Sequence, residues 1–560
     1  MAQPFRVVVI GGVAAGCKVA AKTARLRPDA EVTLIEKGEH LSYAGCGLTY
    51  YISDVVKEQK ELMATPAGVV RDPAFFKNVK NVTVLNRTEA LEIDRKARRV
   101  RLRSLADGRE WWIEYDKLAL ATGARAVVPP IPGVDLPNVF TLKGIEDAEK
   151  IKQLVASGAA NDVVIVGGGL IGVEMAEALE AMRVTVTVVE MLPQILAPLD
   201  REMAALVQRH MTSKGVEIRT AIKVEALEGS EKVEAVVAGG ERMAADAVII
   251  AVGIRPEVQL AREAGLEIGA TGAIRVNKRM RTSDPHIYAA GDCTEMTHLV
   301  TGKPVYAPLG STANKQGRVA AINICGGRER FPGVLGSTIV KVFDFNVGVT
   351  GLSEKAAREA GYDVVTCLVP GADRADYYPG KKMLMLKLIA DRATGRLLGA
   401  QAVGPGEAAK RLDVAATAIT AGMTVEQVSK LDLCYAPPYS PALDNIITAA
   451  NVIRNKIEGR IVGISPIELE WKIEGQENVL LLDVRTPAEF EKGHLKDAVH
   501  IPLGALRKRA GELPRDREIV VYCGTSLRAY EGALILRHAG YEHVKVLDGS
   551  VAMWPFELER

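Results

Sequence analysis

Val163-Val164-Ile165-Val166-Gly167-Gly168-Gly169-Leu170-Ile171-Gly172 decides the fold, together with a helical stretch to about Met182 and the run Val184-Thr185-Val186-Thr187-Val188-Val189-Glu190. Four consecutive β-branched residues read as a strand buried on both faces. Gly167, Gly169 and Gly172 then allow a tight turn, a close approach of backbone to ligand, and a close helix–strand contact. The helix opening at Leu170 and Ile171 directs unpaired N–H groups at whatever lies over the turn. Glu190 ends the next strand, where a carboxylate meets a ribose hydroxyl. This is a dinucleotide-binding fingerprint. Because a carboxylate repels a 2′-phosphate, NADH is expected ahead of NADPH, with NADPH possible.

The same unit occurs upstream, as Val7-Val8-Val9-Ile10-Gly11-Gly12-Val13-Ala14-Ala15-Gly16, a helix-like stretch, and Glu31-Val32-Thr33-Leu34-Ile35-Glu36-Lys37. Val13 replaces the middle glycine, which predicts a slightly wider turn around the pyrophosphate. Two such units in one chain predict two dinucleotides side by side and electron transfer between them. Ala121-Thr122-Gly123-Ala124 and Ala251-Val252-Gly253-Ile254 are the strand-to-loop signals that close each half.

At 560 residues the chain is long enough for three or four domains with large cores. Its 71 basic and 69 acidic side chains nearly cancel, so no net charge draws nucleic acid or an anionic membrane. No signal-peptide pattern and no run of about 18 apolar residues is found, which predicts a soluble cytoplasmic protein. The seven cysteines (17, 46, 293, 325, 367, 434 and 523) include no CxxC pair, so no metal site is expected. Most are expected to be small buried residues. Cys46 and Cys523 are the exceptions, each in a glycine-containing loop.

Further along stands Thr282-Ser283-Asp284-Pro285-His286-Ile287-Tyr288-Ala289-Ala290-Gly291-Asp292. With the two fingerprints before it, this order of motifs resembles the two-dinucleotide-binding-domain flavoproteins. The resemblance implies FAD held by Gly11, Gly12, Ala14, Ala15, Gly16, Glu36, Lys37, Ala121, Thr122, Gly123, Gly291 and Asp292. It places the nicotinamide dinucleotide on Gly167, Gly169, Leu170, Ile171, Gly172, Glu190 and Gly253. It also implies a third domain that forms a homodimer interface and reaches into the partner's site. In flavin disulfide reductases the redox sulfur lies where Leu41-Ser42-Tyr43-Ala44-Gly45-Cys46-Gly47-Leu48-Thr49-Tyr50 stands. Here no second cysteine follows within six residues. A lone thiol must pair with a sulfur or oxygen brought by the substrate, so reduction of an external S–S or O–O bond is expected. Glutathione-reductase-like enzymes supply a histidine proton donor from the third domain, but none occurs between His298 and His494. Tyr378 and Tyr439 are the hydroxyls available instead.

The cysteine loop, Tyr377-Tyr378-Pro379-Gly380 and Tyr435-Ala436-Pro437-Pro438-Tyr439-Ser440-Pro441 resemble coenzyme A disulfide reductases, over roughly residues 5 to 455. The resemblance makes Cys46 the nucleophile and Ser42 a substrate contact. Lys22 and Arg25 would face the coenzyme A phosphates, with Lys18, Arg71 and Asn314 as further candidates. The chain departs from the branch at Gly45, where an Asn is common, and at Thr49, where a Pro is common; one substrate hydrogen bond is thereby lost. Oxygen- and peroxide-reducing relatives carry a histidine at the position of Ala14, so its absence argues against that branch.

After a composition shift near Asn455-Lys456-Ile457-Glu458-Gly459-Arg460 comes a smaller α/β pattern. It contains Asp483-Val484-Arg485, the strand-and-loop Ile519-Val520-Val521-Tyr522-Cys523-Gly524-Thr525-Ser526-Leu527-Arg528, and Leu547-Asp548-Gly549-Ser550. This resembles a rhodanese domain. A Cys-x4-Arg loop after a strand suits an anionic thiolate or persulfide, since backbone N–H groups and a helix N-terminus surround the sulfur. Asp483, Arg485, Gly524, Ser526 and Arg528 are its expected supports.

The expected fold is therefore α/β. An FAD domain spans 1–150 and 268–330 and an NAD(P)H domain 151–267, both Rossmann-like. An α+β dimerisation domain follows at 331–452, then a linker at 453–465 and a rhodanese domain at 466–560. The expected function is NAD(P)H-dependent, FAD-dependent reduction of coenzyme A disulfide, coenzyme A persulfide or polysulfide at Cys46. Cys523 would transfer sulfane sulfur. The alternatives are an NADH oxidase reducing oxygen or peroxide, and a non-catalytic redox sensor or sulfur carrier.

Overall fold

The computed structural model describes residues 4–560. The chain forms two compact units, one running to Met191 and including Val216–Val334, the other comprising Leu192–Gly215 and Leu335–Arg560.

The first unit holds two five-stranded sheets of parallel strands. One has the spatial order Ile287–Ala289, Lys117–Leu120, Arg6–Ile10, Glu31–Ile35, Val82–Leu85. The other runs Glu217–Arg219, Thr185–Val189, Asp162–Val166, Ala247–Ile250, Val139–Thr141. Their central strands are apolar because both faces are covered: in the first sheet Val7, Val9 and Leu34 pack with helices Ala15–Leu26 and Gly310–Ile324, while Val8, Ile10 and Leu118 pack with Val100 and Leu102 of a three-stranded antiparallel sheet, Thr88–Asp94, Arg99–Ser104 and Glu110–Glu114. Loops at the carboxyl ends of such strands make ligand crevices. In the first sheet the loops beginning at Gly11, Ala121 and Ala290 leave the carboxyl ends of three adjacent strands. Those beginning at Gly167, Glu190 and Ala251 do so in the second.

Val139–Thr141, assigned from sequence to the FAD domain, instead pairs with Val248–Ile250 in the second sheet. The boundary expected at residue 150 therefore lies before 139. No single-chain pattern marks this, because a three-residue strand takes its sheet from its neighbours.

The second unit contains an antiparallel sheet, in order Thr338–Val342, Phe345–Gly351, Leu397–Gly404, Met383–Asp391, Val364–Ala372. Helices Ala409–Thr420 and Asn445–Ile457 belong to the same α+β body. Lys387, on strand Met383–Asp391 and 1 % exposed, is held by Asp200, Glu202 and Glu354 at 2.9, 2.5 and 2.8 Å. The rest of the unit is a parallel five-stranded sheet in order Gly463–Ile464, Val544–Leu547, Glu518–Tyr522, Val479–Asp483, Val499–His500. The expected linker is shorter than 453–465, since its first residues are the last turn of helix Asn445–Ile457.

Candidate active site

Both glycine turns open on a residue in the left-handed region, Gly11 at φ 105° and Gly167 at φ 110°. A Cβ on Gly11 would lie 2.1 Å from the Ala121 carbonyl oxygen, and one on Gly16 would lie 1.7 Å from that of Gly11. Glycine is thus required where helix and strand touch. Gly169 is different: a Cβ there meets no heavy atom within 4 Å.

Each turn is tied to its acid. The Glu36 carboxylate accepts from the N–H groups of Gly12 and Gly38, at 2.5 and 2.7 Å. The Glu190 carboxylate accepts from Gly168 N–H at 2.7 Å. The acids therefore lie beside the turns, as a ribose contact demands.

A cavity of about 990 Å³ runs along the first turn, lined among others by Gly11, Glu36, Lys37, Thr122, Arg125 and Tyr306. This is ample for a dinucleotide. The Tyr306 hydroxyl and the Gln316 amide nitrogen are buried without a hydrogen-bond partner in the chain. Gln316 faces the Gly291–Asp292 turn, its oxygen accepting from Gly291 N–H at 2.7 Å. Buried polar groups left without a partner are costly, and a polar ligand resolves that cost. The residues fit a flavin dinucleotide.

Cys46 stands in a short 3₁₀ turn, Gly45–Gly47, that leads directly into helix Leu48–Ile52. It is exposed, and every cysteine in the chain is free. Desolvation raises its thiol pKa, and the carboxylates of Glu174 and Asp292 raise it further; its backbone hydrogen bond and Lys143 pull the other way. Glu174 lies on helix Leu170–Ala181, against which Leu48–Ile52 packs. Burial first, then the neighbouring Glu177, pushes its carboxyl up to about 7. Burial also raises Asp292, partly offset by Lys143, whose ammonium is 4.0 Å away.

Sequence reasoning missed Glu174, Lys143, Gln316 and Tyr306. None of the four carries a local sequence signal, since each role depends on residues distant in the chain.

Of the coenzyme A candidates, Arg71 donates to the Ser42 carbonyl at 3.3 Å, so these two are brought together. Lys18, Lys22 and Arg25 follow one face of helix Ala15–Leu26, with Lys18 and Arg25 exposed. Exposed Asn314 lies on helix Gly310–Ile324, which packs against that helix at Gly317: a Cβ there would be 3.1 Å from the Lys18 Cβ. Cys17, beside them, is buried, and burial and then Glu36 push its thiol up to about 12. Cys17, Cys293 and Cys367 are buried, as expected for most of the cysteines, whereas Cys434 is exposed; Cys523, excepted from that expectation, is itself buried.

In the second unit, Tyr378 and Tyr439 are 36 % and 71 % exposed. Their segments are joined by Ala375 N–H donating to Pro437 carbonyl at 3.2 Å and by a hydrogen bond between the Tyr377 and Tyr435 hydroxyls. Both tyrosines are thus exposed on segments that touch each other.

Cys523 follows strand Glu518–Tyr522 and precedes helix Leu527–His538. The Ser550 hydroxyl accepts from Cys523 N–H at 3.1 Å and lies 3.9 Å from its sulfur. Ser526, at φ 78°, turns the loop into the helix. Arg528 makes a bidentate pair with Glu489, at 2.8 and 2.6 Å, and also reaches Cys523. This pair holds Glu489 far below the usual carboxylate range. Asp483 and Arg485, expected as supports of the cysteine loop, form a buried pair at 2.6 Å, with Arg485 also donating to the Gly493 carbonyl. Asp483 pairs in the sheet with Tyr522, the residue before Cys523, and the Arg485 guanidinium lies 5.8 Å from the centre of the Tyr522 ring. Ser550 and Glu489 were not singled out from sequence, since their roles depend on contacts across the fold.

Among the described residues no helix is long and apolar enough to cross a membrane, and no cluster of ligands could hold a metal ion.

Comparison with known proteins matches residues 5–317 to the pyridine nucleotide-disulphide oxidoreductase family, 337–447 to its dimerisation domain, and 465–555 to the rhodanese-like domain. The chain is 40 % identical, over 80 % of its length and 99 % of the relative's, to the CoA-dependent NAD(P)H sulfur oxidoreductase of Pyrococcus furiosus. It superposes with a TM-score of 0.94 on the NAD-dependent persulfide reductase of A. fulgidus, at 48 % identity, covering 98 % of this chain and all of the other. Reduced CoADR-RHD of Bacillus anthracis gives 0.93 at 36 % identity, covering 100 % of both chains. The chain belongs to the pyridine nucleotide-disulphide oxidoreductases and ends in a rhodanese-like domain.

Proposed function

We propose that this protein is an NAD(P)H-dependent reductase of coenzyme A disulfide, coenzyme A persulfide or polysulfide. The carrying observation is Cys46: an exposed free thiol beside Glu174 and Asp292, with no second cysteine in its loop. Its sulfur partner must come from outside. The names of the relatives and neighbours supply the substrate class.

FAD, held by the Gly11–Gly16 turn, Glu36, Ala121–Gly123 and Gly291–Asp292, supplies two-electron transfer from the nicotinamide to sulfur. The remaining work is done by the chain. The Cys46 thiolate attacks coenzyme A disulfide, forming the Cys46–S–S–CoA bond as one coenzyme A thiolate leaves. With coenzyme A persulfide the same mixed disulfide forms and hydrosulfide leaves. Two electrons then cleave the mixed disulfide, returning the Cys46 thiolate and releasing coenzyme A. Glu174, with its carboxyl near 7, is suited to hold the proton that the leaving thiolate takes. Lys18, Lys22, Arg25, Ser42, Arg71 and Asn314 form the coenzyme A contact set. Tyr378 and Tyr439 serve the site of the other subunit in a homodimer. Cys523 takes a sulfane sulfur as a persulfide and passes it to coenzyme A, with Gly524, Ser526, Ser550 and Arg528 around the sulfur.

The test is NADH consumption by the holoenzyme with coenzyme A disulfide, coenzyme A persulfide, polysulfide and oxygen in turn. Turnover of the sulfur substrates well above that of oxygen is expected. Oxygen turnover equal to or above all three would overturn the assignment in favour of an oxidase.

A further inference from the structure

Within the second unit, Lys456 fastens the rhodanese-like domain to the antiparallel sheet. Its ammonium lies 2.5 Å from Asp548 Oδ2 and 2.8 Å from the Thr366 carbonyl oxygen, with both side chains under a tenth exposed. Asp548 opens the turn that carries Ser550, the residue bonded to Cys523. A Cβ on Gly549, in the same turn, would lie 3.4 Å from the Leu368 Cβ. The cysteine loop is therefore held in a fixed place against strand Val364–Ala372.

At the far end of that strand lies a cavity of about 280 Å³, lined by Gly371, Asp376, Lys381, Lys382 and Met383 on one side and by Thr525 of the cysteine loop on the other. Asp376 pairs with Lys381 at 2.9 Å. Lys382 makes no ion pair among the described residues, so the cavity is net positive. Thr525 is two residues beyond Cys523, which puts their Cα atoms within about 7 Å. The two lysines stand on the other wall, away from the sulfur. A small donor anion held there would be out of contact with Cys523, whose own cationic neighbour is Arg528. The cavity suits a ligand whose charge is remote from its sulfur.

We propose that this cavity docks the phosphate groups of the acceptor thiol, a pyrophosphate-bearing thiol of the coenzyme A class, while its sulfur end reaches Cys523. This rests on the reading of Cys523 as a sulfur-transfer residue. Loading is Cys523–S⁻ plus thiosulfate giving Cys523–S–S⁻ plus sulfite. In unloading the acceptor thiolate attacks the outer sulfur, a new S–S bond forms on the acceptor, and Cys523–S⁻ leaves with the electron pair of the old one. No net oxidant or reductant is consumed. Lysines act here as point charges on phosphate, and the site lies on a different unit from Lys18, Lys22 and Arg25.

The experiment measures sulfur transfer from thiosulfate by the holoenzyme without NADH, to coenzyme A, pantetheine and cyanide. Wild type should favour coenzyme A over pantetheine by about tenfold in kcat/KM, the effect of one to two charge-assisted contacts. K381Q/K382Q should bring coenzyme A down to the level of pantetheine and leave cyanide unchanged, whereas K381R/K382R should keep the preference. The site is overturned if wild type serves cyanide but does not distinguish coenzyme A from pantetheine, if the glutamine variant retains the preference, or if that variant loses all three acceptors equally. Wild type that transfers sulfur to none of them would overturn the reading of Cys523 as well.

Discussion

Replacing Lys456 by Met tests the fastening of the cysteine loop. The substitution keeps most of the side-chain volume but removes the cation from a pair whose members are 8 % and 9 % exposed. Asp548 is then left buried and unpaired, a situation that costs about 3–5 kcal/mol. The chain has several domains, so global unfolding is a poor gauge of this cost. Local opening is better read by hydrogen exchange at Val546, Asp548, Val551 and Ala552, whose N–H groups donate to the carbonyls of Val462, Ile464, Cys523 and Gly524. At about 1.4 kcal/mol per tenfold, their exchange should accelerate by roughly two to three and a half orders of magnitude. Burial already holds the Asp548 carboxyl above its ordinary value, with Lys456 opposing. A carboxyl raised in the folded state favours folding below its unfolded pKa of about 4, and that contribution is lost as pH rises through the folded value. Without Lys456 the folded value rises further. The deficit should therefore be small near pH 4 and grow to full size on the alkaline side. K456M/D548N, which removes both charges, should recover most of the protection. Acceleration below about fivefold in K456M, or a double variant no better than the single one, would refute the reasoning.

Three further outcomes follow from the sites. Glu174→Gln removes a charge that raises Cys46, so the pH midpoint for alkylation of that thiol should move down, and the inflection that Glu174 imposes near 7 should vanish from the profile; an unmoved midpoint contradicts the electrostatics. Arg528→Lys loses the bidentate geometry with Glu489, so sulfur transfer from thiosulfate should drop about tenfold to a hundredfold while reduction of coenzyme A disulfide holds; parallel losses in the two assays would show that the loop is not the transfer site. Glu190 beside the second turn should give NADH the higher kcat/KM by about 1–3 kcal/mol, and Glu190→Ala should narrow the gap; equal use of NADPH by wild type would show that a nearby cation compensates.

The glycine turns were legible because their demands are local: a left-handed φ at Gly11 and contacts too close for a Cβ at Gly16 and Gly172 are set by a strand–turn–helix of a dozen residues. Cys46 and Cys523 were legible for the same reason, each lying in a loop whose neighbours define its chemistry. What escaped depends on partners distant in sequence. Glu174 reads as an ordinary helical glutamate until burial raises it. Lys456 and Asp548 are 92 residues apart and look like a linker lysine and a turn aspartate. Val139–Thr141 is too short to declare its sheet.

The central claim is that Cys46 carries the substrate's sulfur. The most direct measurement is the intact mass of the oxidised holoenzyme after exposure to coenzyme A disulfide, with peptide mapping, before and after NADH. One coenzyme A per chain on Cys46, released when NADH is added and absent from Cys46→Ser, is predicted. An adduct on another cysteine, or steady turnover by the serine variant, would contradict the account.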